Sequence, residues 1–189
     1  MIDVALDFLG RQLKPYLDTH TGFDDVHVAP SRLVDNAGKM ALADETVGLT
    51  LINVEEERVF KDQVPSQKFV NGQHVVLAPE LRLNLMVLIS ANYAQYNEAL
   101  KCLSLVFTYF QTNLFFTVER YPTLEPRIGK LTVELQSLTF EQLNQVWAFL
   151  GAKYLPSVVY RVRMVTLQDV APMAIGAPIT SISTTLGNR

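Results

Sequence analysis

Two stretches of this chain, Leu81 to Gln111 and Ile128 to Asp169, each join an alternating strand to an amphipathic helix, and the second then returns along a long strand. A switch from a two-residue to a 3.6-residue apolar period, made twice, drives helices onto a sheet, because each element has an oily side that the other covers. The rhythm predicts an α+β domain, a mainly antiparallel twisted sheet with two or three packed helices.

In the first stretch Leu81, Leu83, Leu85, Val87 and Ile89 fall on one strand face, with Arg82, Asn84 and Ser90 on the other. Met86 and Leu88 make the second face apolar as well, which predicts a central strand covered on both sides. Asn92 followed by Gln95 has the spacing of a capping box, and Tyr96, Leu100, Leu103, Phe107 and Phe110 then form a stripe that ends near Asn113. A helix of about 19 residues would span about 28 Å, enough to lie along a whole sheet.

The second stretch sets Leu131, Val133 and Leu135 against Lys130, Thr132, Glu134 and Gln136, the pattern of a half-exposed strand. Thr139 with Gln142 repeats the capping-box spacing. Phe140, Leu143, Val146, Trp147 and Leu150 make the stripe, and Gly151 stops it. Pro156 rules out further helix, and Val158 to Leu167 is rich in β-branched and aromatic residues. Arg161 and Arg163 share one face of that strand, where either could meet Glu134 across neighbouring strands.

The succession LTVELQSLTFEQLNQVWAFLGAKYLPSVVYRVRMV (Leu131 to Val165), preceded by LRLNLMVLISA (Leu81 to Ala91) and Tyr96-Asn97-Glu98-Ala99-Leu100, resembles the tail-terminator or cap proteins of phage-tail-like contractile injection systems, the antifeeding-prophage type included. The resemblance runs from about Ile2 to Leu167. Its most specific part is the strand, the helix with Trp147, then Lys153-Tyr154 and Pro156-Ser157. It implies a structural subunit, not an enzyme, that forms a hexameric ring over the last tube and sheath layers and fixes particle length. The implied partners are copies of itself and the sheath and inner-tube proteins, with no cofactor. Another component of the same particle, at the baseplate or on the sheath, would share ring symmetry and differ in where it localises.

Composition agrees with that expectation. With 189 residues, 49% of them hydrophobic, and no Gly/Ser-rich linker, one core and one domain are expected over residues 1–169, followed by an extended tail over residues 170–189. A net charge of −3 without a basic stripe weighs against nucleic-acid binding, which needs clustered Lys and Arg. The single cysteine excludes an internal disulfide, and the acidic start at Asp3 and Asp7 lacks the positive region of a secretion signal, so assembly in the cytoplasm is expected. The apolar run within Leu83 to Ala91 is far short of the ~20 residues that cross a bilayer.

Elsewhere Ile2, Leu6, Leu9 and Leu13 mark an N-terminal helix that Pro15 should end or kink. Val26 to Ala29 reads as a short strand, Pro30 to Asp44 as a loop, and Val47 to Arg58 as a strand ending in Glu55, Glu56 and Glu57. Lys61 to Gly72 reads as a loop and Thr117 to Arg127 as the crossing from helix to next strand. These two segments are expected to face the tube and sheath.

Chemistry has few footholds. Asp24, Asp25 and His27 could begin a metal or small-molecule site if His20 or His74 joined, but no ligand pair has the spacing of a known finger or metalloprotease. There is no Gly-x-Ser-x-Gly elbow and no glycine-rich phosphate loop. Cys102 reads as a buried thiol, and Trp147 as packing. The sequence with the best claim to function is DVAPMAIGAPITSISTTLGNR, after Leu167. Its prolines and glycines prevent a helix, while Met173, Ile175, Ile179 and Ile182 are too apolar for a solvated tail. Together with Asp169 they are expected to lie along a sheet edge of a neighbouring subunit or sheath protein. The plainer alternative is that the tail wraps its own domain or is simply disordered.

Overall fold

The computed structural model describes residues 1–57, 66–70, 73–77, 81–167 and 174–176. Along the chain the elements are α1 (Ile2–Thr21), β1 (His27–Pro30), β2 (Thr46–Glu56), β3 (Ser66–Val70), β4 (Gln73–Leu77), β5 (Leu81–Asn92), α2 (Tyr96–Thr112), β6 (Phe115–Thr117), β7 (Lys130–Gln136), α3 (Phe140–Leu150), β8 (Ser157–Leu167) and β9 (Ala174–Gly176). A six-stranded sheet in the order β1-β2-β5-β8-β7-β6 forms the body, and β3-β4-β9 forms a separate three-stranded sheet. Every pair is antiparallel except β1 with β2. The mainly antiparallel α+β expectation holds, in a mixed sheet. Register slips between Leu51 and Asn53 and between Leu83 and Leu85 both fall on ladders of β5, where such irregularities bend strands and add twist.

β5 is central, as its two apolar faces require. Leu83, Leu85, Val87, Ile89 and Ala91 enter a large core with α1 and α2, while Met86 and Leu88 enter a smaller one with Trp147 of α3. On the large side Phe8 of α1 is 1% exposed and meets Phe116 and Tyr121 edge-on, at 5.5 and 6.0 Å between ring centres. Such geometry adds to the burial itself. The same contacts, with buried Leu124 and Ile128, pin the crossing between β6 and β7 to the core.

Five local expectations need correction. Of the two outcomes expected at Pro15, an end or a kink, the end does not occur, since α1 continues to Thr21. Leu13 and Leu17 on either side of it are fully buried, and that burial offsets the missing amide donor. Asn92 does not cap α2. It closes β5 and donates from its side-chain amide to the carbonyls of Leu42 and Ala43, and the N-cap is Gln95, without a side-chain cap bond. The buried stripe of the 17-residue α2 is Ala99, Cys102, Val106, Tyr109 and Phe110. Tyr96, Leu100 and Phe107 point outward, because the true stripe lies about one residue, or 100° of helical turn, from the expected one. On α3 only Trp147 is buried, and Phe140 is 93% exposed. Lastly, Lys61 to Gly72 is not all loop: β3 occupies its middle and pairs with β4.

Other expectations hold. Thr139 and Gln142 make both capping-box hydrogen bonds, at 3.2 and 3.0 Å, and Gly151 ends α3 at φ 64°, in the left-handed region that suits glycine. Arg163 pairs with Glu134 at 3.0 Å, both partly exposed, so the pair contributes little to stability. At Gly48 of β2 any larger residue would force the Leu42 side chain to shift. A β-carbon there would lie 2.7 Å from a methyl of buried Leu42, which roofs that end of the smaller core.

Candidate interaction surfaces

The sheet face under α3 is only partly covered. α3 and the segment holding Leu33 and Leu42 cap it, leaving between α3 and β2/β5 a groove of about 410 Å³ lined by Ile52, Met86, Leu138, Val146, Phe149 and Val159. Phe149 is 81% exposed at its rim. The helical wheel carries the sign that was missed: Phe149 lies two residues, about 200°, from Trp147, and an aromatic opposite a buried stripe faces water unless something covers it. At the first turn of α3 a second cleft, about 300 Å³, lies among Phe107, Leu135, Leu138, Leu143 and Val158. Leu135 is 54% exposed there, although Leu131 and Val133 on the same strand face are buried.

Polar groups mark the same face. Asn84, Ser90, Trp147, Ser157, Arg161 and Arg163 each keep one buried nitrogen or oxygen without a hydrogen-bond partner among the described residues. These six belong to the α3 side, since they share strand parity with Met86, Leu88 and Val159 or sit on α3 itself, whereas a seventh, the Tyr93 hydroxyl, borders the large core beside Phe23. Unpaired buried polar atoms are costly, so they collect where an interior is thin rather than where it is sealed.

The acidic region ahead of β1 forms a third cleft of about 440 Å³, where Asp24, Asp25 and His27 meet Glu45, Tyr93 and Glu98. Lys14 of α1 reaches over it, donating to Asp25, to Asp18 and to the carbonyl of Val26. That hydrogen bond from Lys14 is the main reason the Asp25 carboxyl titrates below its usual range, and the same contact raises Lys14. His20 does not join. Its Nδ1 lies 2.8 Å from the carbonyl of Tyr16 and its ring stacks on the Tyr16 ring. Among the described residues no three His, Cys, Asp or Glu side chains converge as a metal would need. The cleft is an ion-paired turn that ties the end of α1 to β1.

Cys102 is fully buried, and burial pushes its thiol above the ordinary range, the reverse of what a nucleophile needs. Tyr160 is likewise pushed up to about 12 by burial in the large core. Trp147 is 6% exposed and stacks edge-on with Tyr154 at 5.4 Å, so it serves as packing. Among the described residues no helix is long and apolar enough to cross a membrane.

Of the tail residues singled out, Ile175 lies in β9, opposite Val75 of β4 in the same chain. Asp169, Met173, Ile179 and Ile182 lie outside the described residues. Of the two segments expected to face tube and sheath, Thr117 to Arg127 is anchored by Tyr121 and Leu124, and its exposed side chains include Glu119, Arg120 and Arg127.

The architecture has solved counterparts. The sheath/tube terminator of an extracellular contractile injection system, PVC, in its extended state superposes with a TM-score of 0.67 at 18% identity, over 100% of this chain and 64% of that one. The tube-terminating cap of the anti-feeding prophage gives 0.65 at 17% identity, over 98% of this chain and 61% of that one. The chain thus spans less than two thirds of the length of either structure. No curated protein matches it in sequence. The family model for the Pvc16 N-terminal domain matches residues 6–181, and the chain belongs to that family.

Proposed function

We propose that this protein is a structural cap of a contractile injection system, a subunit of a closed ring, hexameric in the simplest case, that seats on the last tube and sheath layers and ends their growth. The observation that carries the reading is the superposition of the whole chain on two terminators of such particles. Its work is geometric. A head-to-tail interface repeated around an axis closes into a ring or runs on as a filament according to the rotation per subunit, and a cap must close. One side must match the last layer while the other offers no site to the next. The two sheet faces supply unlike surfaces for this: one packed by α1 and α2 over the large core, the other carrying the groove beside exposed Phe149 and six of the buried polar atoms without a partner among the described residues. The grooved face is assigned to sheath and tube contact. Assembly takes place in the cytoplasm before the particle is released or docked, and no nucleic acid takes part.

Electron microscopy of particles made with and without this polypeptide tests the reading. Loss of uniform length and a frayed far end are expected in its absence. Particles of unchanged length with an intact end would overturn it.

A further inference from the structure

We propose that the three-stranded sheet is an exchange arm, in which β9 of one subunit pairs with β4 of the next. β3 pairs with β4 along all five residues, Ser66↔Leu77 to Val70↔Gln73. β9 covers only His74, Val75 and Val76, through Gly176, Ile175 and Ala174. The main contacts of these strands are with one another, at the end of the β5/β8 ladder where Leu81 pairs with Leu167.

A strand held by three residue pairs is released at the loss of a few main-chain hydrogen bonds, without opening the body. The edge of β4 that accepts Ala174-Ile175-Gly176 in its own chain accepts the same sequence from another copy, because the paired residues are the same in both arrangements. Around a closed ring every copy gives one strand and receives one, so each β4 keeps a strand on both sides. A neighbour held in a ring is also at high effective concentration. The exchange rests on the ring reading above, and it gives the tail a partner: a second copy of this chain.

Full-length Val75→Cys and Ile175→Cys variants, one bearing a size tag, are co-expressed, gently oxidised and run on a denaturing gel without reductant. Directly opposed strand residues lie close enough for a disulfide, and Cys102 is too buried to compete. The expected result is a mixed dimer at least tenfold more abundant than any dimer formed by either variant alone. Absence of the mixed dimer overturns the exchange, most directly if Val75→Cys/Ile175→Cys in one chain yields only an internally bridged monomer. Rings that persist with the internal bridge would sink the exchange and leave the cap reading standing, whereas a parent protein that forms no ring sinks the cap reading itself.

Discussion

The two faces of the six-stranded sheet are built to different standards. Beneath α1 and α2 lie Phe8, Leu9, Leu13, Leu17, Phe110 and Phe116, each under 2% exposed, with aromatic rings in edge contact. Beneath α3 a single tryptophan anchors an 11-residue helix over a handful of aliphatic side chains, beside a groove and several unpaired polar atoms. The contrast teaches that one face carries most of the stability: the sealed face holds the body together, and under the proposed cap role the thin one is the face left for a partner to complete.

Truncation to alanine of one large aromatic on each face sharpens this division. Phe8→Ala, on the sealed face, is expected to cost about 4 kcal/mol, since the surrounding aromatic cluster cannot collapse into the hole. Trp147→Ala removes a larger side chain yet should cost less, about 3 kcal/mol or below, because a half-covered site relaxes more easily. Urea unfolding followed by circular dichroism measures both, and equal or reversed losses would break the comparison. Trp147 is the sole tryptophan, so its fluorescence in the parent should report α3 loosening before the global transition. Thr139→Ala deletes the cap of α3 and should cost about 1 kcal/mol, with the early fluorescence change shifted to lower denaturant.

The smallest effect belongs to the ion-paired turn. Asp25 titrates below the ordinary carboxylate range because Lys14 donates to it, so its contribution is present above that range and is lost as pH falls through its depressed value. Asp25→Asn should therefore lower the melting temperature slightly at neutral pH. The gap should close in strong acid, and a gap that widened there would refute the pairing.

How much was legible in the sequence depended on how local the cause was. The Thr139/Gln142 box and Gly151 could be read in full, because cap, first turn and stop lie within a few residues of one another. The face of α2 was not. Its outward residues Tyr96, Leu100 and Phe107 are larger and oilier than inward Ala99 and Cys102, so periodicity favoured the wrong side. Only the close approach of α1, with Tyr16 against Tyr109, selects the small residues. Asn92 misled because its amide serves residues 42 to 44, far away in sequence. β3 and β4 did leave a sign in Asn71-Gly72, a dipeptide that favours two-residue hairpins and that register Val70↔Gln73 leaves between the strands. Trp147 and Cys102 were legible as packing. The grooves were not, since they arise from where α3 stops over the sheet, which no local pattern encodes.

The order of the main sheet also governs when the body can come into being. β8, at residues 157–167, lies between β5 and β7 and is, among the described strands, the one that joins the β1-β2-β5 half of the sheet to the β7-β6 half. On the ribosome both halves must wait, with naked edges at β5 and β7, until residues 157–167 have emerged. Newborn chains are thus at greatest risk of sticking to one another in the interval before that strand arrives, and its arrival closes both edges at once.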